Sequence, residues 1–372
     1  MGMDAVTMLA ETVATCRARA ADDPVYLPDL AMALNSLGIA YHQGGRHMDA
    51  VEQGEHALAT WRRLAADNAG YRPDLAGTLS NLGAFYGLAG RHTDAIDPSE
   101  EAVALYRNLA AENPVFTANL AAALTNMGRP YGSVGQRDKA VAVAEEAVTL
   151  YRALAAQDPA QLPNFAMALS NLGIEYGNVG RHADAIGPAE EAVQLRRTQA
   201  AQNADYLPDV AGALTNLASR CQSIGRHEDA LAAAEESVTI YRSVVKRNPV
   251  HLGNFGTALS NLGNACGMVG RRVDAVAMTE EAAKIFRPLA AGNPAHLPDL
   301  AMALNNLGLH LGDIGLHADA VGPLEEAATI YRRLAADSPA YQQNLTVALA
   351  NLARSQQSGA VQPAKKRFWR RG

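Results

Sequence analysis

The sequence has little of what marks a membrane, secreted or redox protein. No apolar run in its 372 residues approaches the roughly 18 needed to cross a bilayer. The first twenty residues carry Asp4, Glu11, Arg17 and Arg19 where a secretion signal needs an apolar stretch. Met1-Gly2 is followed by Val6 where a myristoylation signal places Ser or Thr. Cysteines number three, an odd count that suits a reducing compartment better than a disulfide framework. Together these absences predict an intracellular, cytoplasmic protein. Also missing are a Gly-rich loop ending in Gly-Lys-Ser or Gly-Lys-Thr, His-Glu-x-x-His, Cys-x-x-Cys and Gly-x-Ser-x-Gly. The chain is therefore read as a non-enzyme with no catalytic residue, no metal and no cofactor.

Positive charge is scarce along the body. Net charge is −6, yet Lys365, Lys366, Arg367, Arg370 and Arg371 stand together with Phe368 and Trp369 near the end, so residues 1–362 carry 27 basic against 38 acidic side chains. An acidic body repels nucleic acid, which excludes a nucleic-acid channel along it. Only the tail Lys365–Arg371 offers contact to an anionic partner.

What the sequence has is a period of 45 residues without insertion or deletion. Leu37, Leu82, Met127, Leu172, Leu217, Leu262, Leu307 and Leu352 mark it, each preceded three residues earlier by a leucine from Leu34 to Leu349. A turn glycine keeps the same spacing at Gly45, Gly90, Gly135, Gly180, Gly225, Gly270 and Gly315. Within one unit Leu75, Leu79, Leu82 and Tyr86 lie on one helical face, helix A, which Gly90 ends. Ala95, Ala102, Leu105 and Leu109 mark a second, helix B, running from Asp94 to Ala111 and stopping at Asn113-Pro114. Each unit is thus a helical hairpin, and hairpins that cannot bury an apolar face alone must stack. Glycines such as Gly38, Gly83 and Gly128 recur inside helix A, where each costs about 1 kcal/mol against alanine, so they predict close approach to the alanines Ala50, Ala95 and Ala140 of helix B.

Leu79, Leu82, Gly83, Tyr86, Gly90, Ala95 and Ala102 match the pattern of the tetratricopeptide repeat (TPR), and the sequence resembles an array of that family over nearly its whole length. Its long Asn-Leu-Gly repeats are similar to those of kinesin light chains and of many actinobacterial signalling ATPases. The chain departs from the family's pattern in using 45 residues instead of about 34 per repeat, in Leu79 where the family has tryptophan, and in Cys221, Cys266 and Leu311 where it has tyrosine. The resemblance implies an all-α, right-handed superhelical solenoid of antiparallel hairpins. By register it holds sixteen helices: an orphan helix B, seven AB repeats and an orphan helix A over residues 1–358, then a basic tail without helical pattern over 359–372.

The same resemblance implies a protein-protein interaction scaffold that holds a peptide or helix in a concave groove. The residues best placed for it are Asn81, Asn126, Asn171, Asn216, Asn261 and Asn306, continued by Asn351, which recur two positions before the helix-A glycine and so about 200° around the wheel, away from helix B. Asparagine offers donor and acceptor together and can clamp an extended backbone, or else bond to the next repeat as a registry device. Arg129 joins them in a groove otherwise small and neutral, with Met32, Ser80, Ala84, Gly87, Met167, Ile174, Ser219, Asn264, Met302 and Leu309. It lacks the basic cluster that would hold a C-terminal carboxylate. Two other readings stay open. Apolar stripes at Val6 and Leu9, with Val13, and at Leu345, Leu349 and Leu352 would support head-to-tail self-association, and the array would also serve as the sensor module of a signalling ATPase.

Three further ladders are read as structural. His47, His92, His182, His227 and His317 share one repeat position but are spaced about 10 Å apart, too far to share a metal. Glutamate pairs such as Glu100-Glu101 and Glu145-Glu146 diverge by about 100° and cannot converge as acid and base. Arginines at Arg17, Arg62, Arg107, Arg152, Arg197, Arg242, Arg287 and Arg332 are expected to form ion pairs between repeats.

Overall fold

The computed structural model describes the backbone of residues 2–361 and the side chains of residues 5–359. Among the described residues every regular element is helical: sixteen α-helices and eight short 3₁₀ turns. The chain divides into two compact units, Met1–Pro188 and Ala189–Gly372. The first holds α1 (Gly2–Asp22), the hairpins α2–α3 (Leu27–Gln43, His47–Asp67), α4–α5 (Arg72–Leu88, Ile96–Glu112) and α6–α7 (Thr117–Ser133, Arg137–Gln157), and α8 (Leu162–Asn178). The boundary falls near the start of α9 (Ile186–Gln202). The second unit holds the rest of α9, the hairpins α10–α11 (Leu207–Ser223, His227–Val244), α12–α13 (Arg272–Gly292 following Leu252–Met268) and α14–α15 (Leu297–Asp313, His317–Asp337), and α16 (Gln342–Val361). Helix α16 continues through residues 359–361, past the position where the pattern ends. The basic stretch Lys365–Arg371 lies outside the described residues.

Two turns generate the hairpin. Between helix A and helix B the seven turn glycines all adopt φ between 75° and 83°, a left-handed conformation that glycine takes without steric cost. At Gly90 the Arg91 amide bonds the Tyr86 carbonyl at 2.9 Å and the Gly90 amide the Gly87 carbonyl at 3.3 Å, the paired closure of a helix C-terminus. Between helix B and the next helix A, Asn113 leaves the helix in an extended conformation and its side chain accepts from the Val115 amide at 3.1 Å. Pro114 then opens a 3₁₀ turn, where its missing amide hydrogen is not needed. Asp23, Asn68, Asp158, Asn203, Asn248 and Asn293 repeat the cap.

Packing follows the ladder of leucines. Leu34, Leu79, Leu124 and Leu169 in the first unit, and Leu214, Leu259 and Leu304 in the second, are each no more than 2% exposed. At the A–B seam a Cβ added to Gly38 would lie 3.3 Å from the Ala50 carbonyl and one on Gly263 3.2 Å from the Ala275 carbonyl, so the glycines do bring the two backbones together.

Ion pairs tie helix B to helix B across successive hairpins. Arg107 meets Glu146 at 2.9 Å, Arg197 meets Glu236 at 2.6 Å, Arg242 meets Glu281 at 2.9 Å and Arg287 meets Glu326 at 2.6 Å, with Arg62 on Glu101 likewise. The other glutamate of each pair faces the turn that follows: Arg181 reaches Glu145 at 3.4 Å, Arg226 reaches Glu190 at 3.1 Å and Arg271 reaches Glu235 at 2.6 Å. Divergence of adjacent carboxylates thus serves two contacts. These groups are about half exposed, so each pair contributes roughly 0–1 kcal/mol.

The outer helices differ from the expected pair of open stripes. Val6 and Leu9 pack on a cluster formed by Val13, Ala33, Leu34, Leu37 and Ala57, so the apolar stripe of α1 is the face it presents to α2 and α3. On α16, Leu345 packs against Ala301, Ala328, Tyr331 and Ala348, and Leu352 is half-buried. Leu349 is 39% exposed, whereas its equivalent Leu304 is fully buried.

Candidate functional site

Helix A carries the expected asparagines on one face, but the structure divides them by what they bond. Asn81 donates to the Asn35 side-chain oxygen at 3.1 Å, Asn351 to that of Asn305 at 3.0 Å, and Asn261 to the Thr215 carbonyl at 3.4 Å. These three act between neighbouring A helices and hold register. Asn126 is exposed and Asn171 half-buried, and among the described residues neither side chain is hydrogen-bonded. Asn216 and Asn306 are half-buried.

Asn126 and Asn171 open on a cavity of about 680 Å³ in the first unit. Its walls come from α4, α6, α7 and α8, with His42 of α2. Of the groove residues expected from the sequence, Ala84, Gly87, Arg129, Met167 and Ile174 line it, whereas Met32, Ser80, Ser219, Asn264, Met302 and Leu309 do not. So does Glu175, which the repeat pattern does not reveal, because α2, α4 and α6 carry Ala40, Phe85 and Pro130 at its position. That break in the pattern is the signal that would have found it. Glu175 is 8% exposed; burial raises its pKa, against the lowering influence of the Asn178 amide and the Arg129 charge. Arg129 itself is exposed.

The second unit has its own cavity of about 660 Å³, bordered by the Arg287–Glu326 pair and by Leu297, Leu300 and Ile330. It lies beside helix B and takes in none of the asparagines.

Side chains with chemical potential elsewhere are occupied in packing. Tyr86, Tyr131 and Tyr176 donate to Glu55, Glu100 and Glu145 across the A–B boundary, and burial together with the Glu55 carboxylate pushes Tyr86 up to about 12. Cys221 and Cys266 replace this tyrosine, are 1% exposed, and have thiol pKa values raised by burial, which makes them poor nucleophiles. The five histidines of the turn stay apart: among the described residues no group of three or more His, Cys, Asp or Glu could hold a metal.

His310 is the buried histidine of the second unit. It is 9% exposed, its Nδ1 lies 3.8 Å from Asp313, and its Nε2 is buried without a partner among the described residues. Burial lowers its pKa, outweighing the Asp313 carboxylate, which raises it. Above the unfolded value of about 6.5 both states are neutral and the group adds nothing; as pH falls through that value the unfolded chain takes up the proton first, so the fold loses stability. His310→Leu should therefore shrink the drop in urea midpoint between pH 8 and pH 5.5. An unchanged drop would show that other groups cause it.

The family follows from the sequence itself. Two profiles of the tetratricopeptide repeat match, one over residues 29–108 and the other over 119–159, 165–198, 210–251 and 300–340, together well over half the chain. The chain belongs to the tetratricopeptide repeat family. The interval between the last two matches folds into the same kind of TPR hairpin, α12–α13. Among solved structures this TPR chain is similar to BtubC (BKLC) from P. vanneervenii at 20% identity, with a TM-score of 0.48 over 73% of this chain and 94% of that one. It is also similar to a Podosopora anserina putative kinesin light chain of nearly identical TPR-like repeats, at 22% identity and a TM-score of 0.45 over 58% of this chain and 96% of that one. A third likeness is MamA, at 21% identity and a TM-score of 0.36 over 56% and 96% of the two chains. No curated protein matches. TPR proteins are in general protein-protein interaction scaffolds, typically non-enzymatic. Among the described residues no helix of this one is long and apolar enough to cross a membrane.

Proposed function

We propose that this TPR protein is a non-enzymatic scaffold that holds a segment of a partner protein in the cavity on the helix-A face of its first unit. The observation that carries the reading is the freedom of Asn126 and Asn171: two amides on successive A helices, without a hydrogen bond among the described residues, border one cavity of about 680 Å³. Each can give and accept a hydrogen bond, which suits the alternating N–H and C=O groups of an extended backbone. Met167 and Ile174, 42% and 39% exposed, add apolar surface beside them.

A peptide selected on the intact chain from a randomised library measures this. Asn126→Ala with Asn171→Ala removes two neutral hydrogen bonds of about 1 kcal/mol each, so affinity should fall roughly tenfold or more while the thermal midpoint stays put. Asn81→Ala with Asn261→Ala should do the reverse, lowering the midpoint with affinity retained, because Asn35 and Thr215 lose their donors. Equal affinity in the first variant and wild type would reject the cavity as the binding site.

A further inference from the structure

The cavity has a floor whose chemistry is more selective than its asparagines. Glu175 is more than nine-tenths buried, takes part in no ion pair among the described residues, and accepts a hydrogen bond at Oε2 from the Asn178 amide at 3.2 Å. Burial outweighs the charge of Arg129 acting on this carboxylate, and the cost that remains is relieved by a charged partner that supplies several N–H donors. Its other oxygen, Oε1, faces two glycines: a Cβ on Gly128 or on Gly132 would each lie 3.9 Å away. Gly87 lines the same space, and a Cβ on it would meet nothing within 4 Å. Three wall positions thus carry no side chain beside Glu175 or facing the open space.

The same cavity is bordered by a residue with a second free acceptor. Pro130 sits inside α6 and has no amide hydrogen, so the carbonyl of Asn126 lacks its intrahelical donor from four residues on. Asn126 borders the cavity. His42, also in the lining, has its pKa lowered by burial and by the neighbouring His47. Arg129 and Arg137 line the cavity too, but both are exposed and stand at its rim. The buried part therefore presents acceptors, and the cations lie outside.

We infer that the cavity receives a lysine or arginine side chain of the partner segment, its cationic head paired with the Glu175 carboxylate and the freed Asn126 carbonyl. The inference rests on the scaffold reading above and names the residue class that the site selects. Arg129 at the rim favours a neutral or acidic residue next to that base in the partner.

The test is selection of a randomised peptide library on the intact chain and on its Glu175→Gln variant, followed by titration of the winning peptide and of a copy with norleucine in place of its basic residue. On the wild type the selected motif should fix Lys or Arg at one position, and norleucine there should weaken binding at least tenfold. On E175Q the two peptides should bind within twofold of each other, with the rest of the motif retained. Gly87→Leu, which fills the cavity and leaves Glu175 in place, should weaken the basic peptide at least tenfold and answers the same question if E175Q does not fold. A motif without a basic position, an undiminished preference for the basic peptide on E175Q, or unchanged binding by the Gly87→Leu variant would overturn the inference and leave the scaffold standing. A wild-type chain that enriches no motif at all would overturn both.

Discussion

Phe286→Ala will cost the second unit about 3–5 kcal/mol, the range for removing a fully buried phenyl ring. Phe286 on α13 is 0% exposed and belongs to the main cluster of that unit, with Leu259, Leu262, Leu300 and Leu304. Its ring fits against α12 because residue 256 is glycine: a Cβ there would lie 2.7 Å from two ring carbons. Truncation to alanine leaves a cavity that α12 cannot fill, since Gly256 has no side chain to move into it. Equivalent positions hold Trp61, Tyr106, Tyr151, Tyr241 and Tyr331, all 5% exposed or less, while α9 carries Arg196 and α1 Cys16, so a buried ring fills this place in six of the eight B helices. Stability in a repeat array is a sum of local and nearest-neighbour terms, so the loss should appear as a lowered urea midpoint for that part of the chain. A shift worth under about 1 kcal/mol would mean that the neighbours collapse to fill the space.

Much of this architecture is legible in the sequence because a 45-residue period repeats each physical instruction many times. Turn glycines announce a positive φ, and all seven have one. The arginine ladder announces pairing between repeats, and Arg62, Arg107, Arg197, Arg242 and Arg287 form such pairs. What periodicity hides is any residue that acts by differing from its equivalents. Glu175 is invisible as one of many glutamates until it is seen to occupy a position that is apolar in α4 and α6 and to lie buried. The asparagine ladder is the opposite case: seven identical positions promise one role, yet Asn81 finds Asn35 on the neighbouring helix A while Asn126 has no hydrogen bond among the described residues. Sequence spacing gives direction from the helix axis, but whether a polar group reaches a partner depends on the neighbouring helix. The same limit applies to Val6 and Leu9, whose stripe is readable and whose covering by α2 and α3 is not.

The seam between helices A and B makes the sharpest test of how the small residues work. Positions sixteen residues apart face each other there: Gly83 meets Ser99, Gly263 meets Thr279 and Gly308 meets Leu324, while the pair at the same spacing in α10 and α11 is Ala218 and Ala234. The glycine thus makes room for whatever helix B presents. A Cβ on Gly308 would lie 2.7 Å and 3.0 Å from the two methyl carbons of Leu324, which is fully buried and cannot swing out. Gly308→Ala should therefore destabilise the second unit by about 1–3 kcal/mol through overpacking, although helix propensity alone favours alanine by about 1 kcal/mol. Leu324→Ala should cost about 2–5 kcal/mol by opening a cavity. Combined, the two recreate the alanine pair that α10 and α11 already tolerate, so the double variant should be more stable than the sum of the two losses allows, by roughly 1–3 kcal/mol of coupling. Urea unfolding of the four proteins measures that coupling directly. Simple additivity would mean that Gly308 is retained for a reason other than the volume of Leu324.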